Sequence, residues 1–334
     1  MKGLLMTVIT VAFLLISTQL IQASETDQYY AWDKELLDSG KQINDHLNNH
    51  IQEVLLQEES SVCEKVVKKI MSRVAMWPLK QGDHWLKYNP EIDQVPIYHS
   101  DRSNYYQESI YKGIWRFNLG GSVKSYLSPT IEVNGIRMGG DKLSHFLGGG
   151  AMYYLAYVRN YAKLVADPEM SAEQAHVKAM EKSIKLGVLS ERTVLGYSRL
   201  ISGVFSYADL EANFQGFTLF YSFCHGDRPR LKYLPSEKRW QLERLVDFKE
   251  YVNPYFDESF NPNAYRNMMW KRVGENLQKY CLQKDLPFVQ QRFDHYRQIL
   301  NTTSPSYSQT LLDEMREEQS VPDSLPYTLS AICQ

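Results

Sequence analysis

Cysteine is scarce in this chain, four residues in 334, and no two of them form a Cys-x-x-Cys pair. Zinc modules of the finger or ribbon type are built on such pairs, so the sequence argues against them. Charge of one sign is lacking too. The 37 Lys and Arg nearly balance 39 Asp and Glu, for a net charge of −2. A nucleic-acid partner calls for Lys and Arg clustered on one face, and none is expected here. His46 and His50 stand at i, i+4 but have no carboxylate between them, unlike the helical motif of zinc hydrolases. The apolar stretch Gly139 to Tyr161 is too short and too rich in glycine to span a bilayer. No metal or other cofactor is expected.

The N-terminus reads as a targeting segment. Lys2 gives a positive start, Leu4 to Ile16 is a compact apolar run, and cleavage is expected after Ala23, although Ile21 is not the small residue preferred at its position. The first cysteine is Cys63, too distant to carry a lipoprotein anchor. An uncleaved membrane anchor is the competing reading. Residues 1–23 are thus assigned to a signal peptide and 24–334 to one mainly α-helical domain with an N-terminal helical extension. The expected location is the periplasm or the medium, with no stable membrane span after cleavage. In an oxidising compartment Cys63, Cys224, Cys281 and Cys333 make two disulfides in any of three connectivities, or remain four buried thiols.

From Ser24 to about Pro78 the apolar residues recur at helical spacing, Ile43, Leu47 and Ile51 followed by Val66, Val67, Ile70 and Val74. Met76 to Gly140 is irregular and predicts loops and short elements. In GGDKLSHFLGGG, residues 139–150, Asp141 is expected to cap a helix that carries Lys142 and His145 on one face. Three consecutive glycines would weaken an exposed helix, so a close packing partner is expected there. Lys232 to Phe248 predicts a further helix, and the chain beyond Ser304 a loosely attached tail held by Cys333.

The chemistry concentrates between Ser171 and Cys224. Ser171 is a good N-cap for a helix that should end near Ser190 or Glu191. Gly196 and Gly203, with the β-branched residues around them, predict a small hairpin between 192 and 206. Ser206 then caps a second helix from Tyr207 to about Tyr221. Glu191 therefore faces the negative end of a helix dipole among apolar neighbours. Both effects favour its protonated form, which a general acid needs. The competing reading pairs Glu191 with Arg192 or Arg199 at the surface. Asp209, in the first turn of the second helix, is the rival carboxylate, its plain role being a favourable acid at that helix start. The 23 tyrosines and 6 tryptophans suit a carbohydrate groove, and the loop Asp247 to Tyr265 mixes acids, asparagines and rings as a sugar-binding rim would.

The run GVFSYADLEANFQGF, preceded by Glu191 and GGDKLSHFLGGG and followed by NPYFDESFNPNAY, resembles exported bacterial proteins related to the deacetylation-specific lysozyme of predatory bacteria. The likeness extends from about Asp141 to Tyr265. It implies a lysozyme-like helical fold with a small β-hairpin after the catalytic helix, and cleavage of peptidoglycan glycan strands with a preference for deacetylated sugars. By the same resemblance Glu191 is the catalytic acid and Ser202 the second active-site position. Thr is expected there, and a Ser orients a water but cannot act as a carboxylate nucleophile, which favours an inverting mechanism. Lys142, His145, Tyr207, Asn213 and Asp257 are the expected substrate contacts. Two other classes stay open: a metal-dependent hydrolase using Asp141, His145 and His225, and a non-catalytic envelope protein that binds glycan or a protein.

Overall fold

The computed structural model describes residues 25–75, 81–114, 127–192 and 203–333. The expected signal peptide, Ser202 and most of the expected hairpin lie outside the described residues. The chain is mainly helical, with small two-stranded sheets among the described residues. Strand β1 (Glu25–Thr26) runs parallel to β2 (Leu127–Ser128) and is buried. Helix α1 (Gly40–Leu56) buries Ile43, Leu47, Ile51 and Leu55, a stripe at i, i+4 that faces the core. Helix α2 (Cys63–Val74) answers with Val66, Val67, Ile70, Met71 and Val74. Helices α3 (Gln81–Tyr88) and α4 (Tyr98–Glu108) follow. Strands β3 (Thr130–Val133) and β4 (Ile136–Gly139) form a hairpin whose turn, Asn134-Gly135, takes positive φ at both residues, as a two-residue turn between twisted strands requires.

The glycine-rich stretch forms one interrupted helix: α5 (Asp141–Ser144), a π-helical turn over His145–Gly149, and α6 (Gly150–Leu164). Its partner is α8, introduced below, and the contact is backbone on backbone. A Cβ on Gly150 would lie 2.5 Å from the carbonyl carbon of Gly216, and a Cβ on Gly216 would lie 1.7 Å from the Phe146 carbonyl oxygen. The expected close partner for the glycines is thus present. Asp141 is not the cap, however. Gly140 occupies the cap position, and the Asp141 carboxylate is turned into the protein.

Helix α7 (Ala172–Arg192) starts as the sequence predicts. Ser171 Oγ accepts from the Gln174 N–H at 3.1 Å while Gln174 Oε1 accepts from the Ser171 N–H at 3.0 Å, a reciprocal capping box. Strand β5 (Val204–Phe205) follows, and then Ser206, whose hydroxyl caps α8 (Tyr207–Ser222) by accepting from the Asp209 N–H. Nearly every residue of α8 is buried, the mark of a central helix. Strand β5 pairs with β8 (Ala264–Tyr265), a partner from far downstream.

Two expectations are corrected. Lys232 to Phe248 is not a helix. Strands β6 (Leu231–Leu234) and β7 (Arg239–Leu242) form a hairpin, with Lys238 at positive φ and Tyr233 packed on Trp240 across the pair. The chain beyond Ser304 is not loosely attached. After α9 (Asn267–Leu277) and α10 (Pro287–Thr302), helix α11 (Tyr307–Glu317) buries Leu311, Leu312 and Met315. It also delivers the Gln309 amide at 2.9 Å, and its cap the Ser306 hydroxyl at 2.7 Å, to one oxygen of Glu211 inside α8. Asn253 and Gln215 donate to the other oxygen, so this fully buried carboxylate is satisfied by four neutral donors. Disulfides join Cys63 to Cys224 and Cys281 to Cys333.

Candidate functional site

Helix α5, the start of α8, strand β1 and the loop before β8 meet at Lys142. Its side chain is fully buried, and Nζ lies 2.7 Å from Asp141 Oδ2, 2.7 Å from Asp209 Oδ1 and 2.6 Å from Glu258 Oε1. An ammonium has three N–H groups, and here each faces a carboxylate. The acids are tied down further. Thr26 Oγ1 donates to Asp141 Oδ1 at 2.8 Å, and Ser206 Oγ donates to Glu258 Oε1 at 3.0 Å. Glu25, 2 % exposed, sits within the field of the same group.

Four carboxyl groups thus share one buried ammonium, and they cannot all carry charge cheaply. Their proton affinities separate accordingly. Burial, reinforced by Glu258 and Asp209, pushes Glu25 well up, and burial pushes Glu258 up to about 7 against the pull of Lys142. Burial also raises Asp141. For Asp209 burial acts upward, but the charges of His145 and Lys142 outweigh it and hold its carboxyl below the ordinary range. Lys142 shows the reverse balance: burial acts against its charge, and the three carboxylates raise it well above the usual value.

The π-helical turn puts His145 between this cluster and a second polar group. His145 Nε2 lies 3.2 Å from Asp209 Oδ2, and Nδ1 lies 3.2 Å from Asn213 Oδ1. Both ring nitrogens lie within reach of oxygen atoms. Gly149 makes the second contact feasible, because a Cβ there would overlap Asn213 Oδ1 at 1.7 Å. His145 is the least buried member, with 12 % of its side chain exposed. π-turns inside α-helices occur frequently at functional sites.

Glu191, 3 % exposed, stands in the last turn of α7. Its field is felt at the hydroxyl of Tyr153 on α6, which also borders Asn213. Asn213, His145, Asp209 and Lys142, all singled out from sequence, are thus joined in one polar cluster, and Glu191 lies near its Tyr153 edge. Glu191 is buried, so a pairing out at the surface is not its setting, and its partner residues are not among those described. Arg192 turns to the Ser320 carbonyl, and Arg199 lies outside the described residues.

Other expected contacts are placed elsewhere. The Tyr207 hydroxyl donates to the Pro322 carbonyl, and its ring lies under the Arg316 guanidinium. Asp257, 1 % exposed, accepts from the Ser259 N–H and hydroxyl and from Tyr296, so its oxygens fasten the loop instead of opening to a groove. His225 stacks on Tyr221 just past the C-terminus of α8. Asp209 is at the opposite end, roughly 20 Å away at 1.5 Å per residue. His46 stacks on Trp85, and burial lowers it to about 4, which keeps it neutral. Glu25, Glu258 and Tyr153 were not singled out. Glu258 was visible only as an acid between aromatic rings in YFDESF, and Glu25 and Tyr153 carried no signal. Asp141, His145 and Asp209 bring three ligand atoms within 4.8 Å of one another, yet the Lys142 ammonium already bridges both carboxylates. No protein-family model, curated protein or solved structure matches the chain.

Proposed function

We propose that this chain is a glycosidase that cleaves the glycan strands of peptidoglycan, with Glu191 as the proton donor. The observation that carries the reading is the burial of Glu191 at the carbonyl end of α7, where desolvation and the helix dipole both favour a protonated carboxyl. The rival carboxylate is less suited. Asp209 is held ionised by Lys142 and His145, so it has no proton to give and serves to fix His145. Ser202 is assigned the orientation of a water in an inverting displacement. The two disulfides fit an oxidising compartment, and among the described residues no helix is long and apolar enough to cross a membrane. The reading places the working protein in the periplasm or outside the cell.

A metal-dependent hydrolase is the second reading, favoured by the convergence of Asp141, His145 and Asp209. It ranks lower because a divalent cation would have to displace a lysine that meets three carboxylates, all buried. Muropeptide release from native and chemically deacetylated peptidoglycan separates these readings. Glu191→Gln, nearly isosteric, should lower release roughly 10²–10⁴-fold while leaving binding intact. Chelation should leave the rate unchanged. Full activity in Glu191→Gln with loss in Asp209→Asn would move the acid to Asp209. A wild type that releases nothing from either substrate would leave a non-catalytic glycan-binding role.

A further inference from the structure

We infer that Tyr161, His176, Tyr221 and His225 form a second glycan-binding surface, which holds the strand at sugars remote from the bond that is cut. The inference rests on glycan as the substrate, and its test reads binding apart from turnover. The four rings come together where α6 ends, α7 begins and α8 ends. All four are half-buried, so each is fixed by the protein and still partly open to solvent.

The surface has a packed floor. Tyr157 and Phe217 are both buried beneath it, with ring centroids 5.3 Å apart. The Tyr161 ring lies within 14° of parallel to Tyr157 at 5.6 Å, and Tyr221 stands edge-on to Tyr157 at 5.5 Å and 88°. His176 touches both, its centroid 5.5 Å from Tyr157 and 5.4 Å from Tyr221. The Tyr157 hydroxyl and His176 Nδ1 are 2.8 Å apart, a hydrogen bond that fixes the imidazole. His225 stacks on Tyr221 at 4.7 Å, and its neighbour Cys224 is bonded to Cys63 at the start of α2. Offset-stacked and edge-on rings at such separations attract one another, so the array is ordered before a ligand arrives and binding loses little side-chain freedom.

The chemistry of the rings selects the ligand. A sugar presents a face of C–H groups and a rim of hydroxyls, which match an aromatic face with hydrogen-bonding atoms at its edge. These residues offer both: the tyrosine rings and hydroxyls, the His225 nitrogens, and His176 Nε2, left over from the bond to Tyr157. Burial lowers both histidines from their ordinary value, so at pH 7 they are neutral and give an anionic ligand no charge to meet. An apolar protein partner would desolvate the polar tips without pairing them. From His176 to Glu191 is fifteen residues along α7, about 22 Å at 1.5 Å per residue. An extended strand spans that distance and a disaccharide does not. The surface therefore adds affinity for long strands and leaves the chemical step alone.

The test uses glycan strands freed of their peptides, long ones and disaccharides, titrated into wild type, Tyr161→Ala and His225→Ala. In wild type the aromatic ¹H–¹³C signals of Tyr161 and His225 should shift with long strands, a measurement that needs no variant to fold. Each substitution should weaken binding of long strands about tenfold, the effect of one lost stacking ring, and leave disaccharide binding unchanged. In turnover KM for long strands should rise by the same factor with kcat unchanged. Wild-type ring signals that ignore the strands overturn the inference. So does a double variant that keeps both its far-UV circular dichroism and wild-type affinity for long strands. If wild type releases no muropeptides while the ring signals shift, the glycosidase reading falls and the binding surface stands.

Discussion

Replacing Lys142 by Met keeps the length and bulk of the side chain and removes the only buried ammonium of the cluster. Asp141, Asp209 and Glu258 then lose a partner at 2.6–2.7 Å, and all three side chains are no more than 5 % exposed. Removing one member of a buried ion pair typically costs about 3–5 kcal/mol, because the remaining charges stay desolvated and unpaired. For a chain of this size the melting temperature should drop on the order of 10 °C at pH 8. The pH dependence identifies the cause. In wild type Glu258 is raised to about 7, so the stability it contributes is complete below its ordinary value of 4.5 and is lost as pH rises through about 7. Asp209 acts oppositely, since its lowered carboxyl stabilises above its ordinary value of 3.8 and that contribution is lost on acidification. Without Lys142 the acids bind protons more tightly still. The deficit of Lys142→Met should therefore be largest at pH 8 and shrink toward pH 5 as protonation removes the unpaired charges. Urea unfolding of both proteins at pH 5, 6, 7 and 8 measures it. A variant within about 0.5 kcal/mol of wild type at pH 8, or one whose deficit is independent of pH, would refute this account of the cluster.

Gly216→Ala places a Cβ 1.7 Å from the Phe146 carbonyl oxygen, an atom fixed by its helix, so denaturant unfolding should show a loss of about 3 kcal/mol or more. Gly149→Ala meets only the Asn213 side chain, which can turn away; it should cost less stability and instead release His145 from Asn213, visible in the imidazole NMR shifts. Opening the Cys63–Cys224 bridge, with a sequence separation of 161, should cost about 5 kcal/mol by loop entropy, against about 4 kcal/mol for Cys281–Cys333 with a separation of 52. Calorimetry of the paired Cys→Ser variants checks that order.

What the sequence determined by itself is local. Ser171 and Ser206 act on N–H groups three residues ahead, so the starts of α7 and α8 were legible, as was the end of α7 near Glu191. The stripe Ile43, Leu47, Ile51 and the three consecutive glycines announced burial and a close neighbour without naming that neighbour. Where local signals were ambiguous the reading failed. Tyr233 and Trp240, seven residues apart, fit one face of a helix as well as a strand pair, and only pairing across the Lys238 turn decided between them. The candidate site belongs mainly to tertiary structure. Glu258 lies 116 residues from Lys142 in sequence, and Thr26 lies 115 from Asp141. No periodicity spans such distances, because periodicity records which face of an element is buried and not what is buried against it. Lys142 was expected to contact substrate; instead its neighbour Asp141 and two acids from distant parts of the chain, Asp209 and Glu258, enclose it. The space that Gly187 leaves on α7 is filled by the Tyr153 hydroxyl, which a different helix supplies.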